Sequence, residues 1–302
     1  MTDPPPRSAA GAARRATDDP NRFVIPAEAL PAGFADVVDD PAHQPVEPRP
    51  AATVVLLRDA PGGPEVLLLR RHRRSGFAAG AWVFPGGVVD ARDRDGALLE
   101  RLDGPTPGEW ARRLGIVDAG EALGYVAAAI REAFEETGIL LAHPDPDATQ
   151  PRGGIGEGLE VARRALLNDV IDLRGVIVGN GLRLSGGELV YIAHWITPTP
   201  EPRRYDTRFF AAHAPADAEC TVHDAEMTDA LWLTPAESVR RFEAGEMTLL
   251  PPTVHTLRRL SRYGTWEQLR AWLQDAPVPS ILPRMERDAE GVAIVVEEQP
   301  DS

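Results

Sequence analysis

The sequence predicts a mixed α/β domain followed by a helical C-terminal extension, and three features lead there. A long apolar helix with a charged edge, AAAIREAFEETGILL at 127–141, lies mid-chain. Short β-branched and leucine-rich runs stand on both sides of it. Beyond residue 250 the pattern changes to amphipathic helical spacing that carries leucine and tryptophan.

Taken in order, residues 1–48 are rich in Pro, Ala, Arg and Asp, with one weakly apolar island, RFVIPAEALPAGFADVV. They are expected to form a flexible or loosely docked tail, because they hold too little periodic apolar content to fold alone. AATVVLLR and EVLLLRR, separated by DAPGGP, read as a β-hairpin, and AWVFPGG as a brief strand ending in glycines. A polar stretch from about 91 to 120 follows, with one short helix around Trp110–Leu114, and then the charged helix. GLEVARRALLNDVIDLRGVI reads as a further helix, ELVYIAHWITP and DTRFFAA as strands, and TDALWLTPAESVRRFEAG as a strand passing through a proline into a helix. Two helices broken at Gly264 and a last strand, GVAIVVEE, complete the chain. The main domain is expected at 49–250 and the extension at 251–302. The extension's stripe of Leu257, Leu260, Trp266, Leu269, Trp272 and Leu273 fits either core packing or a homodimer surface.

The 302 residues and 43% apolar content suffice for a real core. A formal charge of −14 disfavours nonspecific binding to nucleic acid or to an anionic membrane, both of which attract distributed basic charge. An anionic substrate therefore needs a local arginine cluster or a bound metal. The single cysteine, Cys220, cannot form an intrachain disulfide, and the opening MTDPPPRSAAGAARR has no apolar stretch of signal-peptide type. A soluble cytoplasmic protein is the expectation.

At about 100° per residue, setting Glu132 at zero puts Glu136 near +40° and Glu135 near −60°. Leu123, Val126, Ala127, Ile130 and Phe134 occupy the opposite side, ready to pack on a sheet. Three carboxylates in one wedge repel one another, and Arg131 relieves part of this through its i,i+4 relation to Glu135. A hard divalent cation, Mg²⁺ or Mn²⁺, would relieve more, since both take oxygen ligands and share them with phosphate.

With these residues in view, the chain resembles the Nudix hydrolases. REAFEETGI matches the second half of their signature, and VFPGGVVD at 83–90 its opening, through Gly87, Arg131, Glu132, Glu135, Glu136 and Gly138. The uninterrupted signature runs glycine, five residues, glutamate, seven residues, then Arg-Glu. Here Gly87 and Arg131 lie 44 positions apart, so about 30 residues are inserted. Counted back from Arg131, the early glutamate falls on Leu123, with Glu121 the nearest acidic side chain.

The resemblance implies a Nudix-type α/β/α sandwich with a mixed sheet, a long insert within the box and a helical C-terminal extension. It implies metal-dependent hydrolysis of a nucleoside diphosphate-linked small molecule. Glu132, Glu135, Glu136 and the Gly86 carbonyl would hold Mg²⁺ or Mn²⁺, and Arg131 would belong to the catalytic set. Relatives often add a glutamate from outside the box; the candidates are Glu226 and, in competition, Glu188, with Glu135 or Glu136 as base otherwise. For substrate charge the candidates are Arg70 and Arg74 in RRHRR, and Arg204 and Arg208 in PRRYDTRFFAA, with Gly87 beside them. Strand alternation puts Asp206 and Arg208 on one face and Thr207 and Phe209 on the other, and Arg208 is expected to point into a cleft.

RRSGFAAGAWVFPGG, the split box and ITPTPEPRRYDTRFFAA together resemble a split-box Nudix subgroup that includes coenzyme A diphosphatases. Coenzyme A or an acyl-coenzyme A is the substrate this implies. ADP-ribose and NADH stay open as alternatives, as does a Nudix-fold sensor that binds a nucleotide without cleaving it.

Overall fold

The computed structural model describes residues 15–16, 19–73, 78–147, 155–215, 218–223, 225–273 and 277–297. Arg15–Ala16 (β1), Arg22–Pro26 (β2) and Phe34–Asp39 (α1) come first. Arg49–Arg58 (β3) and Glu65–Arg71 (β4) form the expected antiparallel hairpin, with Leu57 opposite Val66. AWVFPGG makes two short strands, Trp82–Val83 (β5) on β4 and Gly86–Val88 (β6) on β3. Pro85 between them has no N–H to donate to a continuous ladder. The insert contributes Gly96–Leu99 (α2) and Pro107–Leu114 (α3) ahead of the long helix Ala119–Thr137 (α4).

After Ala142–Pro144 (β7), the stretch predicted as one helix is two, Ile155–Leu167 (α5) and Leu173–Gly179 (α6). Asp169 between them takes a φ of 55°, and Asp172 accepts from the Gly175 N–H to start the second helix. Leu182–Leu184 (β8), Val190–Ile196 (β9), Tyr205–His213 (β10) and Met227–Leu233 (β11) lead to Pro235–Glu243 (α7). Then come Pro251–Leu260 (α8), Trp266–Leu273 (α9), Ser280–Ile281 (β12), Arg284–Asp288 (β13) and Gly291–Val295 (β14).

The central sheet runs β11-β4-β3-β10-β9-β12, with β5 and β6 attached. β10 is parallel to β3 and β12 to β9, while the other pairs are antiparallel, so the sheet is mixed. Period-two alternation divides the core. Phe210 and Ala212 of β10 pack toward α4, whereas Phe209 and Ala211 pack toward α7, α8 and α9. Ala127, Ala128 and Ala129 of α4 are fully buried, and their short side chains let the helix lie close to the sheet. The result is the α/β/α sandwich expected from the resemblance. The C-terminal stripe enters the second core through Leu257, Leu260, Trp266, Leu269 and Leu273, leaving Trp272 partly exposed beneath Arg259.

Within the stretch read as a tail, β2 is the second strand of a four-stranded sheet, β1-β2-β14-β13, with Ile25 opposite Val292 and both fully buried. The apolar island finds its partner at the far end of the chain. No described helix is long and apolar enough to cross a membrane.

Candidate active site

Asp118 caps the start of α4 by accepting from the Glu121 N–H (2.7 Å), and Gly138 ends it in the left-handed region at φ 76°. Between these caps the charged edge is organised by one guanidinium. Arg131 Nη1 donates to Glu132 Oε1 (2.7 Å) and Glu135 Oε2 (2.9 Å), and Nη2 to the Val88 carbonyl (2.9 Å). Nε and Nη2 donate to the two oxygens of Asp93 (2.8 and 3.0 Å), a paired geometry that fixes the guanidinium plane.

Asp93 is 1% exposed and closes a capping box with Asp90. It lies six positions after Gly87, the spacing of the early acidic residue when the signature is counted forward from its glycine. Counted back from Arg131, the same position falls on Leu123. That side chain is buried on the apolar side of α4, and Glu121 stands 3.8 Å from Arg94 instead. The insert therefore begins after Asp93, not before the acidic position.

Glu136 is buried and accepts from the Gly86 N–H (3.1 Å). Burial, and then the neighbouring Glu132 charge, hold its carboxyl well above the usual range, and Glu226 pushes the same way; the Gly86 N–H and Arg71 oppose them. Burial pushes Glu132 up to about 7 against the pull of Arg131, and Glu135 is raised by burial too. Among the described residues no three acidic, His or Cys side chains converge on one point, because Glu132 and Glu135 turn to Arg131 and Glu136 turns to Gly86. The donors are nonetheless hard oxygens, crowded and only partly neutralised, which is the environment that suits a divalent cation.

β6 brings its glycines against this edge. A Cβ on Gly87 would stand 2.6 Å from Glu132 Cδ. Gly87→Ala is accordingly expected to fold, since the far end of Glu132 can swing away, and to lower kcat/KM by on the order of 10² through misplacement of that carboxylate. Steady-state kinetics beside a thermal melt checks both halves.

Beyond the helix end, Arg163 donates to the Glu135 carbonyl (2.9 Å) and to the Thr221 carbonyl (2.7 Å), and the His223 N–H donates to the Glu136 carbonyl (3.2 Å). This ties the loop before β11 to the carboxylates and brings exposed Glu226 into their electrostatic field. Arg163 had no signal in the sequence beyond its place in a helix. Glu188 is engaged elsewhere, 3.6 Å from Arg270.

The arginines divide. Arg70 lies 3.6 Å from Asp229 and over the Trp82 ring, and Arg74 falls outside the described residues. Arg204 is buried and donates to the carbonyls of Thr197 (3.0 Å) and Val46 (2.8 Å), bracing a connection. Arg208 is not in a cleft. It lies on the α4 face of the sheet, over the Tyr125 ring and hydrogen bonded to Asp206, His194 and the Leu114 carbonyl of the insert. The cleft opens on the other face, lined by Thr207 and Phe209, and its cation is Arg71. Arg71 is one of four arginines in RRHRR, and nothing in that run distinguishes it from its neighbours; as the last residue of β4 it lines the same cleft as Gly86, and its charge acts on Glu136.

A mixed-sheet α/β/α sandwich whose glycine loop and Arg-Glu-x-x-Glu-Glu helix meet at a carboxylate edge defines a Nudix pyrophosphohydrolase, a class that generally uses divalent metal ions. The family model described as the NUDT19 Nudix domain matches residues 116–260. The chain belongs to this NUDT19 branch of the Nudix family. It is 32% identical over 273 residues to the acyl-coenzyme A diphosphatase NUDT19 of Gallus gallus, covering 75% of this chain and 71% of that one. The Homo sapiens protein of the same name is 28% identical over 251 residues, covering 73% and 67%. Among solved structures, a NUDIX hydrolase from Alicyclobacillus acidocaldarius superposes with a TM-score of 0.61 at 26% identity, covering 77% of this chain and 99% of that one.

Proposed function

We propose that this protein hydrolyses the diphosphate of coenzyme A or an acyl-coenzyme A, giving a phosphopantetheine and adenosine 3′,5′-bisphosphate. The observation that carries the reading is the intact carboxylate edge of α4 held against Gly86 and Gly87, in a chain similar over most of its length to acyl-coenzyme A diphosphatases. Glu132, Glu135, Glu136 and the Gly86 carbonyl would hold Mg²⁺ or Mn²⁺. A divalent cation bound there supplies neutralisation of diphosphate charge and acidification of water.

Within the protein, Arg131 keeps Glu132 and Glu135 in one orientation, and Arg71 meets a phosphate oxygen at the mouth of the cleft. Glu226 accepts a proton from water as the water oxygen attacks one phosphorus. The bond from that phosphorus to the bridging oxygen breaks, and the bridging oxygen leaves as part of the second monophosphate. One water is consumed for each diphosphate cleaved.

Glu226→Gln is expected to lower kcat by on the order of 10², and Glu188→Gln to leave it within about twofold. The reverse pattern would move the proton acceptor to Glu188. The function itself is tested by product identity with Mg²⁺ or Mn²⁺ on coenzyme A, acyl-coenzyme A, ADP-ribose and NADH. A clear preference for either of the last two would overturn the coenzyme A assignment, and absence of turnover on all four would overturn catalysis at this site.

A further inference from the structure

We propose that the cleft on the Thr207–Phe209 face takes the acyl-pantetheine arm of the substrate, and that the sheet built from the two chain ends limits the acyl length it accepts. The inference rests on the coenzyme A reading and says which half of the molecule goes where. The cleft offers a cavity of about 180 Å³ with a wider mouth open to solvent, room for part of an extended organic ligand. It starts at Gly86 and Arg71, beside the carboxylate edge, so a diphosphate at the edge directs one of its substituents into it.

The charge of the two halves decides which. The nucleotide half carries an extra phosphate on its ribose, and a desolvated phosphate needs cations or several N–H donors. Arg71 is the one cationic side chain among the described residues that line the cleft, and it stands at the diphosphate end. Pro251 and Pro252, which also line the cleft, open α8 with two residues that have no N–H, so this helix start lacks two of the donors that hold anions elsewhere.

The remaining surface is apolar, with Phe84, Trp195 and Phe209 beside the hydroxyls of Thr53, Thr197 and Thr207. A neutral arm with two amides and an apolar tail matches that surface. Pro283 and Ile294 add lining from the C-terminal extension, and Ile294 is held opposite Phe23 of β2 by the terminal sheet. Each methylene buried along the cleft raises affinity about fourfold until the chain meets this wall.

The test compares kcat/KM for free, acetyl-, octanoyl- and palmitoyl-coenzyme A in the full-length wild type and in Ile294→Trp, with Mg²⁺ present. In the variant the ratio of the long acyl forms to free coenzyme A is expected to fall by on the order of tenfold. Thr207→Leu fills the same cleft from the central sheet and is expected to act in the same direction, which keeps the test valid if a thermal melt shows Ile294→Trp to be unfolded. Inhibition by adenosine 3′,5′-bisphosphate is expected to be unaltered in both variants. A ratio that does not change with acyl length, or a weakened bisphosphate with unaltered acyl selectivity, overturns the arm assignment. A wild type inactive on every form of coenzyme A overturns the functional reading itself, and this inference with it.

Discussion

Replacing Glu136 by Gln is expected to lower kcat/KM for diphosphate hydrolysis by on the order of 10³ while leaving the thermal midpoint unchanged or higher. The two effects have opposite signs because one carboxylate serves two ends. Glu136 is 4% exposed, and burial together with the Glu132 charge disfavours its ionised form. A neutral amide of the same shape removes that electrostatic penalty and keeps an oxygen for the Gly86 N–H. It also removes an anionic oxygen from the set that would hold the cation. Metal-dependent turnover and a melt on the same preparation separate the two; activity within tenfold of wild type would take Glu136 out of the site.

The second large effect is expected at Asp93. Asp93→Ala leaves the guanidinium of Arg131 buried without its paired acceptor, and loss of one partner from such a pair destabilises by roughly 3–5 kcal/mol. Turnover of the protein that still folds should fall as well, because the same guanidinium orients Glu132 and Glu135. Asp93→Glu keeps the charge and is expected to recover most of both losses. Adding Leu123→Glu to Asp93→Ala is expected to restore neither, since Leu123 lies on the apolar side of α4. Denaturant unfolding and kcat on the wild type and these three variants would decide; rescue by Leu123→Glu would return the early acidic position to the helix.

That pair of residues marks how far the site was legible. The carboxylate wedge of Glu132, Glu135 and Glu136 could be read directly, because an α-helix places side chains by a local hydrogen-bonding rule and three residues within five positions have little room for error. The early acidic residue could have been found by counting forward from Gly87. Counting back from Arg131 crossed an insertion of about 30 residues, and spacing carries no information through inserted chain.

Arg208 shows a different limit. Alternation placed it correctly opposite Phe209, but period two defines two faces and does not say which of them a helix will cover. The insert settles that: Trp110 packs edge-on to Phe210 at 5.8 Å, and the Leu114 carbonyl accepts from Arg208, so that face is closed. Arg204 likewise looked available for phosphate and instead satisfies two backbone carbonyls.

By itself, then, the sequence determined the helix edge, its glycine counterpart, the presence of an insert and the family these define. Only the tertiary structure decided that Asp93 holds Arg131, that the cleft lies on the Thr207 face, and that β2 and β14, from opposite ends of the chain, form one sheet with Ile294 at the cleft. The division follows the range of the forces. Backbone hydrogen bonding and side-chain periodicity act over a few residues and are written locally, whereas burial pairs surfaces without regard to their separation along the chain.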